Sequence, residues 1–203
     1  MNELILIGAG GHARACIDVI EQIGLFSVSG LVGKNDSELI SALGIPIIGT
    51  DEDLESLYID YKYAFIAVGQ IKSPEIRIGL YTLLKSIGYK LPIMIAPSAY
   101  VSRLSKISNG SIVMHGAIVN SGAKIGNNCI INNQSLIEHG VSVEDHCHIA
   151  TGAILNGDVS IGKGTFIGSG AIVSNGLTVG AGCVIGAGVT IKTPIDDNMV
   201  IKS

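Results

Sequence analysis

From Ile95 to Ile191 every sixth residue is isoleucine, leucine or valine, seventeen positions without an interruption, and the series stops before Asp197. A period of six matches neither the 3.6-residue turn of an α-helix nor the two-residue alternation of a flat strand, so it marks an internal repeat. Two residues before the aliphatic position the chain is mostly small, as at Ala117, Cys129, Ser135, Cys147 and Thr165, and glycine often precedes that, as at Gly116, Gly152 and Gly164. Each hexad reads as a short strand that sends an aliphatic side chain inward, followed by a turn in which glycine accepts backbone angles other residues resist. Three hexads close one triangular coil of eighteen residues, and coils stacked about 4.8 Å apart bring like residues into ladders. The series has room for about five coils.

The repeat assigns residues 91–203 to a solenoid of their own and leaves residues 1–90 as a second domain. Twenty-seven glycines and no tryptophan suit a thin solenoid whose core is built from ladders of isoleucine and valine. A net charge of −4 without runs of lysine or arginine leaves no electrostatic footprint for nucleic acid. The N-terminus shows no charged leader followed by an apolar stretch, and no run of eighteen apolar residues occurs, so neither a signal peptide nor a membrane span is expected. A cytoplasmic protein follows. Cys129, Cys147 and Cys183 share one register of the hexad, with Thr165 at the missing step, and should stack inside the coil as small hydrophobes. Cys16 belongs to the other domain, so no disulfide framework is implied. The string His146-Cys147-His148 does not make a metal site, because the register turns Cys147 inward and both histidines outward.

In the N-terminal domain residues 4–7 form a short apolar run that ends in Gly8-Ala9-Gly10-Gly11-His12, and residues 13–23 carry an amphipathic helical pattern. Strand-like runs at 27–32, 45–48 and 63–68 alternate with helical stretches at 37–43 and 73–87, where Ser73-Pro74-Glu75 supplies a capping hydroxyl, a proline and an acid for the helix start. This alternation argues for a small parallel sheet of Rossmann type. The glycine turn would let backbone N–H groups and a helix N-terminus approach a phosphate. A dinucleotide fingerprint would need a third glycine where Ala13 stands and an acid where Gly33-Lys34 stands. A nucleotide whose diphosphate carries something other than nicotinamide fits better. His12, at the helix start, is placed to bond that diphosphate or its sugar; the alternative is an exposed capping residue.

Polar residues of the solenoid concentrate in residues 132–148, which hold three of the five histidines. His139 follows the inward Ile137 by two positions and should point out of the prism at a corner. A corner has little cover of its own, so a dry cleft there needs a neighbouring subunit, most simply in a homotrimer of parallel prisms. An imidazole in such a cleft acts near neutral pH as general base for an amine or hydroxyl attacking a thioester. The alternative is a histidine that only bonds across a subunit interface. His148, nine residues on, lies half a coil away and is free to meet a second chain's site.

The Ile7-Gly8-Ala9-Gly10-Gly11-His12 opening, Ala67-Val68-Gly69 and the Ile137-Glu138-His139 segment within hexad coils make the chain resemble the hexapeptide-repeat sugar acetyltransferases of the sialic acid O-acetyltransferase type. It is most similar to their N-acetyltransferase branch, which acts on UDP- or GDP-linked 4-amino sugars in bacillosamine, legionaminate or perosamine synthesis. The resemblance implies an α/β Rossmann-like domain followed by a left-handed parallel β-helix, and acetyl-CoA as co-substrate without a metal. It implies that Gly10, Gly11, His12 and Gly69 hold the nucleotide sugar, that Asn132 helps to place its amine or hydroxyl, and that His139 is the catalytic base. His148, Gly157, Ser169 and Ala187 would line the acetyl-CoA channel between subunits. Transfer would be direct, with backbone N–H donors at the oxyanion. The alternatives are O-acetylation of a sialic-acid-like sugar and a non-catalytic nucleotide-sugar binder. Relatives often carry an acid directly after the histidine, where this chain has Gly140, and a Gly-x-Pro-Ala-Lys-like tail that this chain lacks at Ser203. Glu138, Glu144 and Asp145 are the carboxylates left to orient His139, although strand alternation sends Glu138 the other way.

Overall fold

The computed structural model describes residues 1–33 and 44–202. The helical stretch expected at 37–43, and Lys34, lie outside the described residues. Four parallel strands, β1 (Asn2–Ile7), β2 (Phe26–Val32), β3 (Ile47–Gly49) and β4 (Tyr63–Ile66), form one sheet in the order β3-β2-β1-β4. In a parallel sheet all carboxyl ends lie on one edge, so the Gly8–His12 turn, Gly33, Thr50 and Val68-Gly69 share that edge. Helix α1 (Gly11–Ile23) starts two residues earlier than the hydrophobic period suggests, because extended Gly10 is its N-cap, and it stops at Gly24 in the left-handed region (φ 68°). The glycines conceal this first turn from a periodicity argument, since they carry no side chain to bury. A short 3-10 turn (Asp51–Asp53) and helix α2 (Leu54–Leu57) were too brief to register in sequence. Helix α3 (Glu75–Ile87) opens after Pro74, where the Ser73 Oγ accepts the Glu75 N–H at 3.1 Å.

Residues 94–201 wind into strands of two residues stacked in three parallel sheets, so the solenoid is a prism with three walls. In each wall the partner of a strand lies eighteen residues on, as Ile131 pairs with Ile149 and Ile137 with Leu155. The second residue of each strand points inward, and these side chains form a continuous aliphatic core from Val113 to Ile191. The sequence series ends before Asp197, but the wall continues: Ile185 pairs with Ile201, a step of sixteen, so the last coil is two residues short. The column of Ser111, Cys129, Cys147, Thr165 and Cys183 does more than fill space. Each side chain donates to a corner carbonyl ahead of it, from Ser111 to Gly126 at 2.7 Å through Cys147 to Gly162 at 3.1 Å, which satisfies backbone acceptors the turns would otherwise orphan.

The first residue of each strand points outward, and it differs in kind on the three walls. On the first wall, Met94, Ile112, Ile130 and His148 are buried beneath the N-terminal unit. Here α1 presents Ala13, Cys16, Ile17 and Ile20, at helical spacing, against the solenoid and β1. We call this the covered wall. The second, aliphatic wall carries Tyr100, Ile118, Leu136, Ile154 and Ile172, and Tyr100 and Ile118 stand 59% and 39% exposed. The third, polar wall carries Lys106, Lys124, Ser142, Ser160 and Thr178. The inward register generates a stability test. Ile149→Asp buries an unpaired carboxylate in the core and should cost about 4 kcal/mol or more, whereas exposed Lys163→Ala should stay within about 0.5 kcal/mol, as read from urea unfolding. Equal losses would mean that the faces are misassigned.

Candidate functional site

The junction between the two units is built around a buried cation. Arg77 lies on the apolar stripe of α3 with Leu80 and Leu84, and it is 1% exposed. Its Nη1 donates to the carbonyls of Ile66 (3.1 Å) and Val68 (2.6 Å), and its Nη2 to the carbonyl (3.0 Å) and Oδ1 (2.6 Å) of Asn128 on the solenoid. Asn128 returns a bond to the Arg77 carbonyl at 3.1 Å, and its Nδ2 lies 2.9 Å from His146 Nδ1. Burial pushes the guanidinium down to about 10, so it remains charged at neutral pH. Carbonyl dipoles rather than a carboxylate hold it, and this ties the end of β4 to one solenoid corner.

Next to this cation the end of β4 continues through Gly69 and Gln70. His148 Nδ1 lies 2.6 Å from the Gln70 carbonyl, which can only accept, so Nδ1 carries the proton and Nε2 the lone pair. That lone pair accepts Asn132 Nδ2 at 3.2 Å, and Asn132 Oδ1 accepts the Asn133 N–H at 2.8 Å. The amide of Asn132 is thus oriented, with one N–H and one lone pair left to offer. Gln70 Nε2 donates to the Gly164 carbonyl at 3.2 Å and closes the seam. Burial, against the bond from Gln70 and with help from Arg77, lowers His148 to about 4. His12, in the first turn of α1, lies beside Gly69 with Nε2 3.5 Å from the Cys16 thiol; burial first, then Arg77 and His148, lower it to about 3. Both imidazoles are neutral at pH 7.

His139 lies elsewhere. It occupies the corner between the aliphatic and polar walls and is exposed. Its ring rests on the next coil, where a β-carbon at Gly157 would come 2.5 Å from Cε1 and 2.7 Å from Nε2, so only glycine leaves room for the imidazole. The three carboxylates considered from sequence are engaged away from the ring. Glu138 Oε2 accepts the His139 backbone N–H (3.1 Å) and Asn120 Nδ2 (3.0 Å). Glu144 accepts the Lys163 N–H (2.9 Å) and Asp145 the Asn127 N–H (2.6 Å), both at the corner between the polar and covered walls. Among the described residues the His–carboxylate contact within 4 Å is His115 with Asp18, at 2.8 Å.

The residues singled out by sequence therefore divide into two groups within one chain. Asn132, Ser169 and Ala187 lie along the corner between the covered and aliphatic walls, next to His148 and the end of β4. His139 and Gly157 lie along the opposite edge of the aliphatic wall. Gly10 and Gly11 open onto free space, with no atom within 4 Å of a β-carbon at either. One expectation needs correction: His148 does point away from the coil interior, but it is 7% exposed and packed by Gln70 and the Phe166 ring of its own chain, 5.2 Å away. Its ring nitrogens are both used within the chain. His146, also expected to turn outward, is 6% exposed against Tyr81. Gln70, Arg77 and Asn128 were not anticipated. The signal for Arg77 was present, as a lone cation three and seven residues before Leu80 and Leu84 on a buried helix stripe.

A parallel Rossmann-like sheet, followed by a left-handed β-helix with an imidazole on a glycine floor, defines an acyltransferase of the hexapeptide-repeat class. Residues 3–81 match the PglD N-terminal domain, and residues 122–157 and 158–193 match the bacterial transferase hexapeptide (six repeats). The chain is similar to the acetyltransferase domain of PglB from Neisseria gonorrhoeae in complex with acetyl coenzyme A, with 32% identity, coverage of 100% of this chain and 97% of that one, and a TM-score of 0.92. It is also similar to PerB from Caulobacter crescentus in complex with CoA and GDP-perosamine (29% identity, 100% and 95% covered, TM-score 0.91). WeeI from Acinetobacter baumannii, at 23% identity, 94% and 96% covered and TM-score 0.73, shares the fold. A comparison with the curated proteins finds no match. The chain belongs to the family of sugar acetyltransferases that join a PglD-type N-terminal domain to hexapeptide repeats.

The buried histidines give the junction a pH signature. Their folded values lie below the ordinary 6.5, so as pH falls below 6.5 the unfolded chain binds protons that the folded chain refuses. The stability they contribute is complete above about 6.5 and is lost as pH falls toward about 4 for His148 and about 3 for His12. The urea midpoint should drop over that window, and less steeply in His12→Asn and His148→Asn. Parallel pH curves for the variants and the parent protein would refute the assignment.

Proposed function

We propose that the protein transfers the acetyl group of acetyl-CoA to the amine of a nucleotide-linked 4-amino sugar, with His139 as general base, in a cleft formed between copies of the chain. The observation that carries this reading is the division of the site residues onto the two edges of one uncovered aliphatic wall. A rotation that turns this wall of each copy toward a common axis buries Tyr100, Ile118 and Leu136 and sets each edge against the complementary edge of the next copy. Three prisms with triangular cross-sections close such a ring, so the assembly is a homotrimer. The two edges then face each other as one cleft.

On one edge Gly10, Gly11, His12 and Gly69 receive the nucleotide diphosphate, and Asn132 uses its free N–H or lone pair to place the amine. PerB, solved with CoA and GDP-perosamine, and the PglB domain, solved with acetyl coenzyme A, support this pairing of substrates. Acetyl-CoA supplies the acetyl group as a thioester, along a channel lined by Ser169 and Ala187 of one copy and Gly157 of the next. His148 stands behind Asn132 in the wall of that channel. His139 of the neighbouring copy takes a proton from the amine as its nitrogen bonds the thioester carbonyl carbon, the carbon–sulfur bond then breaks and the CoA thiolate leaves with that proton, while neutral His12 and Asn132 keep the acceptor in place. Residues 1–90 thus serve the nucleotide sugar and 91–203 the acetyl transfer, in the cytoplasm where acetyl-CoA is available. Among the described residues no helix is long and apolar enough to cross a membrane.

Thiol release from acetyl-CoA, measured against UDP- and GDP-linked 4-amino sugars, free sialic acids and no acceptor, tests the substrate class. Turnover should require a nucleotide-linked amine; acetylation of free sialic acid would select the O-transfer alternative, and silence with every acceptor would select a binding protein. His139→Ala should lower kcat by roughly 100-fold or more. Gly157→Ala should lower it by about tenfold, since the added methyl displaces the ring, with a smaller effect on the acceptor KM. Unchanged turnover in His139→Ala rejects the base, and a monomer at micromolar concentration in light scattering rejects the shared cleft.

A further inference from the structure

We infer that Asp158 is a positioning residue for His139, a carboxylate supplied from the next coil that stabilises the imidazole when it takes up a proton. The inference rests on the reading of His139 as the base. Asp158 belongs to a column of left-handed corner residues, Gly122, Gly140, Asp158 and Gly176, with φ of 76°, 69°, 60° and 67°. Glycine occupies such a position without steric cost, whereas other residues are disfavoured there. The one side chain in this column appears at the level beside His139. Its carboxylate folds back over Gly140, the residue that follows the histidine: a β-carbon at Gly140 would lie 2.1 Å from Asp158 Oδ1. The carboxylate therefore fills the space that a side chain at position 140 would take. The Asp158 N–H also donates to the His139 carbonyl at 2.9 Å, which locks the two corners together.

Among the described residues no other carboxylate stands free at this corner. Glu138, Glu144 and Asp145 are committed to backbone N–H groups, while the Asp158 carboxylate is exposed and has no hydrogen bond among the described residues. The charged residues at the histidine's own corner and on the coils on either side are Glu138, engaged away from the ring, and Asp158; the coil below brings Asn120 and Ser121, and Asn175 lies beyond Gly157. Ring and carboxylate sit on adjacent columns, over Gly157 and Gly140, without an ion pair in the single chain. The carboxylate acts through its field on the imidazolium, and closure of the cleft by a second copy removes the water that screens it.

The test is Asp158→Asn, which keeps a side chain that tolerates the left-handed region and so preserves the fold. The kcat at neutral pH should fall about tenfold, with the acid limb of its pH profile displaced to lower pH and both KM values within about twofold. Gly140→Asp combined with Asp158→Gly, which returns a carboxylate to the same space from the other residue, should restore most of the lost kcat. An acid limb of the kcat profile that Asp158→Asn leaves in place overturns the inference, as does a kcat that it leaves unchanged. His139→Ala separates the two readings. Full turnover in that variant rejects the base itself, whereas an inactive His139→Ala beside an unaffected Asp158→Asn rejects only the role of Asp158.

Discussion

The structure depends on one constraint, the eighteen-residue step that stacks each two-residue strand on an equivalent strand in the next coil. Within that step the inward residue must be aliphatic, because it touches only its own ladder and the other two walls. The outward residue is under no such demand. Each wall is thus free to take its own character, and the chain uses this freedom three ways: one wall for its N-terminal unit, one left aliphatic, one polar. The corners obey a further rule in most places, since their left-handed position is mostly glycine, with Asn128, Gln134, His146, Asp158 and Asn198 as departures. Asn128 and His146, which leave that rule on one edge, are engaged with Arg77 and Tyr81 at the junction.

The same constraint decides what was legible in sequence. The period of six is local and uninterrupted, so the prism, its inward register and the exposed corner position of His139 could be read directly from residue spacing. The N-terminal sheet was legible as alternation, but the glycines of its first turn hid the start of α1, and the 3-10 turn and α2 were too short to register. The junction was not legible, because its contacts join residues far apart: Gln70 reaches His148 seventy-eight residues on, and Arg77 reaches Asn128 fifty-one residues on. Spacing could say that His148 left the coil interior. It could not say that α3 and the end of β4 would then cover it. The short last coil was missed for a different reason, since a step of sixteen breaks the count while the pairing survives.

Burying an arginine without a carboxylate needs explanation, since an unpaired charge in the interior is costly. Here four carbonyl or amide oxygens surround the guanidinium, and they belong to two units that also meet through apolar contacts and through the bonds of Gln70 to His148 and Gly164. Apolar contacts permit sliding by fractions of a side chain, whereas bonds of defined direction do not. The bonds fix the height of the carboxyl-end edge of the sheet relative to Asn132. That registration matters to the proposed site because Asn132 lies on the solenoid, while Gly10, Gly11 and Gly69 lie on the other unit.

The three histidines of the proposed site show how environment divides labour among identical side chains. His12 and His148 are withdrawn from water and share the field of Arg77, so protonation would place a second positive charge in a region that already holds one. Their neutrality gives each ring one donor and one acceptor, and for His148 the Gln70 carbonyl selects which nitrogen is which. A ring fixed in this way can orient a neighbour but cannot relay a proton near neutral pH. His139 has the opposite surroundings: water on one side, a glycine floor beneath, carboxylates rather than a cation at its corner. The solenoid places it across the aliphatic wall from the other two. In the proposed reaction, catalysis and substrate positioning therefore fall on different edges of the same wall.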